Sequence, residues 1–145
     1  MVIPASLAPF RRIALDTNIF IYILNGDHRV KPILPLFTAA SGYSVTLLTS
    51  VIAYTECAVL PYRQEYSSAI TAVIELFQLP NLQVLPFDLR IADQAARLRA
   101  NHPALRMPDA ILLATALTSR AEAFLTNDAG LRSFKELPII LLDEC

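Results

Sequence analysis

At 145 residues the chain has the length of one ordinary domain, enough to bury a single continuous core. Its hydrophobic content of 54% and mean hydropathy of +0.46 exceed those of a typical soluble domain, which implies a large core or apolar surface covered by a partner. The formal net charge of -1 excludes a global positive field that would gather nucleic acid, and no apolar run approaches the ~18 residues of a bilayer span.

Short β-branched and apolar runs alternate with helical patterns along the chain. In order they are a strand at Arg12–Leu15, helices at Thr17–Leu24 and Val30–Ala40, a strand at Ser44–Thr49, and helices at Ser50–Val59 and Tyr62–Gln78. A strand at Gln83–Pro86, helices at Leu89–Asn101 and Pro108–Ser119, a strand at Glu122–Thr126, a short helix at Ala129–Phe134 and a strand at Ile139–Leu142 follow. No long Gly/Ser linker, low-complexity tract or internal repeat interrupts this series, so residues 1–145 read as one domain. Alternating strands and helices predict the α/β class, a three-layer sandwich with a mostly parallel five-stranded sheet between helices. The segment MVIPASLAPFRR lacks the charged-then-apolar order of a signal peptide. A soluble, cytoplasmic protein with no membrane contact is therefore expected.

Four acids stand directly against apolar runs: Asp16 in IALDTNIFIYIL, Glu56 in SVIAYTECAVL, Asp109 in RMPDAILLATAL and Asp128 in AFLTNDAGL. A carboxylate beside a core costs free energy unless a cation or hydrogen bonds compensate it. Taken singly, Asp16 and Asp128 fit helix N-caps, and Asp109, one residue after Pro108, fits a first helical turn where negative charge suits the dipole. Glu56 lies six residues beyond Ser50, too deep for a cap, and needs a buried arginine, an opening to solvent or a shared site. In parallel α/β sheets ligands bind at the carboxyl ends of the strands. Asp16 follows the first strand, Asp128 the fourth, and Ser50 opens the helix after the second, so topology gathers these positions at one edge.

Clustered carboxylates repel one another, and a divalent cation turns the same cluster into a ligand set. Hard oxygen donors with only two histidines in the chain suit Mg²⁺ or Mn²⁺ rather than zinc. Such ions activate water and stabilise charge on a phosphate under in-line attack, so the chemistry expected is phosphodiester hydrolysis.

The segment LDTNIFI, the glutamate six residues after Ser50, the PDAILLATAL helix and the LTND turn occur in the order seen in PIN-domain nucleases, and from about Arg12 to Leu142 the chain resembles one such domain of the VapC-toxin size. The resemblance implies a metal-dependent endoribonuclease that dimerises, cuts RNA and pairs with an antitoxin protein. It carries the three best-defined acids onto Asp16, Glu56 and Asp109 and a fourth, more variable acid onto Asp128, with Asn127 as its possible substitute or supplement. Asp16 and Asp109 are then expected to ligate metal directly, Glu56 to bind metal or orient a metal-bound water, and Asp128 to complete a second site or act through water. Thr17, Asn18, Ser50 and Thr126 are expected to hydrogen-bond the carboxylates or the attacking water, with helix capping the alternative for Ser50 and Thr126. A non-catalytic binding module and a nuclease for RNA processing or structured DNA are the competing readings.

Other residue types offer less. Cys57 and Cys145 make no disulfide framework and no zinc cluster. His28 in NGDHRV and His102 in NHP read as surface loop residues away from the motifs. There is no G-x-S-x-G elbow and, with three glycines, no phosphate-cradling loop. Ten of the twelve basic residues are arginine, the better bidentate phosphate binder, but most of them read as solvated helix surface.

Overall fold

Arg12–Leu15 (β1) runs through the middle of a five-stranded sheet, with Thr46–Ser50 (β2) and then Leu82–Leu85 (β3) on one side, and Ala123–Thr126 (β4) and then Ile139–Leu141 (β5) on the other. Every pairing is parallel. The computed structural model describes residues 2–42 and 44–145. Among these the helices are Thr17–Leu24 (α1), Leu34–Ser41 (α2), Val51–Arg63 (α3), Ser67–Phe77 (α4), Leu89–Asn101 (α5) and Met107–Thr118 (α6). Three 3₁₀ segments, His28–Ile33, Ala129–Ser133 and Leu142–Glu144, complete the regular structure. The helices cover both faces of the sheet, giving the expected three-layer α/β sandwich, and no helix among the described residues is long and apolar enough to cross a membrane.

The strands read as continuous apolar runs because a parallel sheet is covered on both faces. Ile13, Leu15, Leu47, Leu48 and Leu125 are fully buried. The apolar periodicity of α6 is blurred for the same reason: every residue from Ala110 to Ala116 is buried. Thr115 sits inside that helix at no polar cost, since its hydroxyl donates to the Ile111 carbonyl at 2.7 Å.

Two helices expected from the sequence are divided. Val30–Ala40 becomes a 3₁₀ segment followed by α2, because Pro32 lies inside the first and Pro35 in the opening turn of the second. Proline removes a backbone donor and clashes with the preceding turn, so it starts helices better than it continues them. Tyr62–Gln78 is likewise not one helix. α3 continues past Val59 to Arg63, carrying Pro61, and the chain turns at Gln64–Tyr66 before α4 starts. Glu65 there has φ of 51°, a left-handed conformation that ends a helix. Ala129–Phe134 is a 3₁₀ turn ending at Ser133 rather than an α-helix.

Leu125 lies at the β1–β4 junction and is fully buried. Leu125→Ala is expected to lower unfolding free energy by about 2–5 kcal/mol, read as a lower urea midpoint at unchanged m-value. A change below about 1 kcal/mol would show that this junction is not part of the tightly packed core.

Candidate active site

The connections that leave β1 and β4 run to opposite sides of the sheet, so these two strands border the position where a parallel sheet opens a crevice at its carboxyl edge. Asp16 is the first residue beyond β1, and its N–H still donates to the Leu125 carbonyl of β4 at 2.9 Å. Thr126 ends β4. The topology thereby sets a carboxylate beside a hydroxyl across the switch point, and Thr126 Oγ1 donates to Asp16 Oδ2 at 2.7 Å. Asp16 Oδ1 accepts from the Thr17 N–H at 2.7 Å and so also caps α1.

Asp16 is 5% exposed. Removal from water raises its pKa from the ordinary 3.8 to about 6, against the opposing pull of the Thr126 and Thr17 hydrogen bonds, and the charges of Asp109 and Glu56 push it further up. Thr126 and Thr17 bind both oxygens of this carboxylate, yet its negative charge remains unfavourable.

Around Asp16 the other groups fall into place. Thr17 Oγ1 donates to Glu56 Oε1 at 2.6 Å, tying α1 to α3. Asn18 Nδ2 lies 3.2 Å from Thr126 Oγ1 and 3.4 Å from Asp16 Oδ2. Thr126 Oγ1 also accepts from the Asp128 N–H at 3.0 Å. Asp109, in the first turn of α6, meets Arg106 through an Nε–Oδ2 contact of 3.3 Å. The charges of Asp109, Asp128 and Glu56 raise the Arg106 pKa. The four acids thus share one electrostatic neighbourhood, linked through Asp16 on one side and Arg106 on the other.

Only Asp16 meets the description of an acid buried against the core. Asp109 and Asp128 are half-buried, and Glu56 is exposed. The apolar run around Glu56 does not bury it, because Val59 and Leu60 of the same helix are themselves 46% and 55% exposed; Glu56 is accounted for by an opening to solvent and the Thr17 bond. Among the supporting residues, Ser50 is fully buried and its Oγ accepts from the Ile52 N–H at 3.2 Å, which is the capping alternative. Thr126 instead bonds a carboxylate. Asn127 Oδ1 accepts from the Asp143 N–H at 3.0 Å, and the Asn127 N–H donates to Asn18 Oδ1 at 3.2 Å. Asp128 Oδ1 caps the following turn through the Gly130 N–H at 2.9 Å.

His28 is exposed, as expected. His102 is not a detached loop residue: it is half-buried, its Nε2 lies 2.7 Å from Glu136 Oε1, and it lines the same cleft as Asp109 and Asp128. Arg106 was also without an assigned role, although its spacing of three residues from Asp109 was a readable signal on a helix start. Cys57 is buried and its thiol is pushed up to about 12 by desolvation, consistent with an inert core thiol. Among the described residues no three His, Cys, Asp or Glu side chains stand close enough to enclose a metal ion by themselves.

The chain is thus a parallel α/β sandwich with a buried carboxylate at its switch point and three further acids in the same electrostatic neighbourhood. The PIN domain family profile matches residues 13–137, and the chain belongs to that family. No curated protein matches the sequence. Among solved structures the chain is similar to a crystal structure of VapBC2 from Rickettsia felis bound to a DNA fragment from its promoter (19% identity, 90% of this chain and 98% of that chain, TM-score 0.73). It is similar also to FitAcB from Neisseria gonorrhoeae (22% identity, 92% and 99%, TM-score 0.69) and to a toxin–antitoxin complex from Klebsiella pneumoniae (24% identity, 92% and 99%, TM-score 0.63).

The raised pKa of Asp16 has a signed consequence. Between pH 3.8 and about 6 the folded chain holds a proton that the unfolded chain has released, so the Asp16 contribution to stability falls as pH rises through that window. The loss is at most about 3 kcal/mol and levels off above pH ~6. Asp16→Asn, uncharged throughout, is expected to lack this decline, as measured by urea unfolding at a series of pH values in EDTA. Parallel stability curves for parent and variant would contradict it.

Proposed function

We propose that this PIN-family chain is a divalent-metal-dependent endoribonuclease and the toxin of a toxin–antitoxin pair, active as a homodimer in the cytoplasm. The observation that carries the reading is Asp16: a carboxylate at the switch point, bonded on both oxygens and still energetically short of a cation. A protein with no use for positive charge there gains nothing by burying it, which speaks against a non-catalytic binding module.

The donor set fits Mg²⁺ or Mn²⁺ in being all oxygen. Mg²⁺ keeps several waters and takes one or two carboxylates from a protein. Asp16 and Asp109 would hold it, with Asp128 acting directly or through water. Such an ion supplies an activated water and neutralises charge on the scissile phosphate. Thr126, Thr17 and Asn18 fix the Asp16 carboxylate. Glu56 has Oε1 occupied by Thr17, which leaves Oε2 to orient the attacking water.

The toxin role rests on likeness to assemblies described as toxin–antitoxin complexes. It is supported by an apolar groove of about 360 Å³ between α1, α3 and α4, lined by Ile21, Leu24, Leu60, Pro61 and Tyr66 beside Glu56. That surface suits the helix of an antitoxin. Ile19, on the same helix as Ile21 and Leu24, is fully buried and belongs to the core.

EDTA, Asp16→Asn and Asp109→Asn are each expected to abolish cleavage of a panel of structured and unstructured RNAs in the presence of the folded chain. Cleavage that survives any of the three overturns the metal mechanism, and cutting of DNA alone overturns the choice of RNA. Mg²⁺ or Mn²⁺ in hundredfold excess over Kd should stabilise the parent by about 2.7 kcal/mol through linkage. Asp16→Asn should reduce that gain, followed as a shift in melting temperature.

A further inference from the structure

The acidic edge lies between two cavities of unlike character. The groove on the Glu56 side is apolar. On the Asp109 and Asp128 side a cleft of about 490 Å³ separates the turn Asn101–Arg106 from the 3₁₀ segment after β4, a volume typical of small-molecule sites. Leu105, Leu131 and Phe134, all buried, form its apolar floor, while Asn101 and Ser133 are exposed at its rim. One wall is held firmly: the His102 ring packs on Phe134 with centroids 5.2 Å apart, and Nε2 is 2.7 Å from Glu136 Oε1.

Arg106 stands where the cleft meets the acids. Its side chain is 76% exposed, and it reaches Asp109 through one 3.3 Å contact. The Asp109 side chain is only 12% exposed, so the exposed and loosely held half of the pair is the guanidinium. The guanidinium can therefore exchange partners where another cation takes over the charge of Asp109. Four carboxylates repel a polyanion, and Arg106 is a cation within the field of Asp109, Asp128 and Glu56. Its planar fork matches two oxygens of a phosphodiester. Moving to a phosphate would also release Asp109 Oδ2 for the role assigned to it above.

We propose that this cleft is a nucleotide subsite next to the scissile bond of single-stranded RNA, in which Arg106 exchanges Asp109 for a backbone phosphate and the flanking base lies on the Leu131–Phe134 floor within reach of Asn101 and Ser133. A base reaches such a floor only when it is unstacked, as in a single strand or loop. The inference rests on the ribonuclease reading and names the substrate form and the residues that hold it.

The test has two readouts. Fluorescence anisotropy with a labelled ten-nucleotide single-stranded RNA, with Ca²⁺ replacing Mg²⁺, measures binding without turnover. Arg106→Ala is expected to weaken binding about tenfold and to lower the salt-dependence slope by about 1, with Arg106→Lys recovering part of the loss. Ala104→Trp, on an exposed turn position that lines the cleft, fills the subsite. It is expected to change the base preference beside the cut roughly fivefold while cutting continues, as read from cleavage sites in a random single-stranded library. Melting temperatures confirm that each variant is folded. Parental affinity, slope and preference in both Arg106→Ala and Ala104→Trp, with the parent cutting RNA, overturns the subsite and leaves the nuclease reading standing. Equal affinity for duplex RNA also overturns the subsite. A parent that neither binds nor cuts any RNA overturns both.

Discussion

The carboxylate of Asp16 imposes the constraint on which the rest of this molecule depends. It is withdrawn from water at the one place where the sheet connections diverge, and three neighbours are arranged to make that tolerable. The Thr17 N–H and the Thr126 hydroxyl take one oxygen each, and Asn18 braces the second from further off. These bonds offset part of the desolvation and leave the group with a pKa of about 6. The hydroxyl at the end of β4, the small polar residues opening α1 and the nearby acids all follow from holding that one charge in place.

Much of this was legible because buried parallel strands declare themselves as short apolar runs, and an acid at the end of such a run is conspicuous. All five strands stand within a few residues of their expected places, and Asp16, with Thr126 as its partner, sits where the topology requires. What escaped the sequence was three-dimensional in origin. Apolar residues around Glu56 suggested burial, but residue type does not say which side of a helix faces inward, and α3 exposes Val59 and Leu60 along with it. Prolines 32 and 35 divided a helix whose periodicity looked continuous, and Glu65 reversed the chain without any glycine to signal it. The orientation of Asn127 is set by the Asp143 N–H, sixteen residues away, a contact that no local pattern contains.

The two cavities divide the surface by chemistry. The apolar groove offers shape and hydrophobic contact, and its lining includes Glu56. The cleft sets a cation, amide and hydroxyl groups around an apolar floor, and its lining includes Asp109 and Asp128. The groove therefore touches the acid edge through Glu56 and the cleft through Asp109 and Asp128. The two linings have no residue in common, so the protein and the nucleotide proposed for them would meet the acid edge without sharing a contact.

The bond between Thr126 and Asp16 spans 110 positions of the chain, and that distance has a temporal meaning. β1 and its capping acid leave a ribosome well before β4 does, by the 110 positions that separate Asp16 from Thr126. Until then β1 can pair only with β2, one flank of the central strand stays open, and the Asp16 side chain has solvent where its hydroxyl partner will stand. Non-local pairing of this kind is slow and comes late in folding. A product that stops short of β4 thus carries Asp16 without the hydroxyl that tunes it, and the fold itself delays assembly of the complete site until β4 has been made.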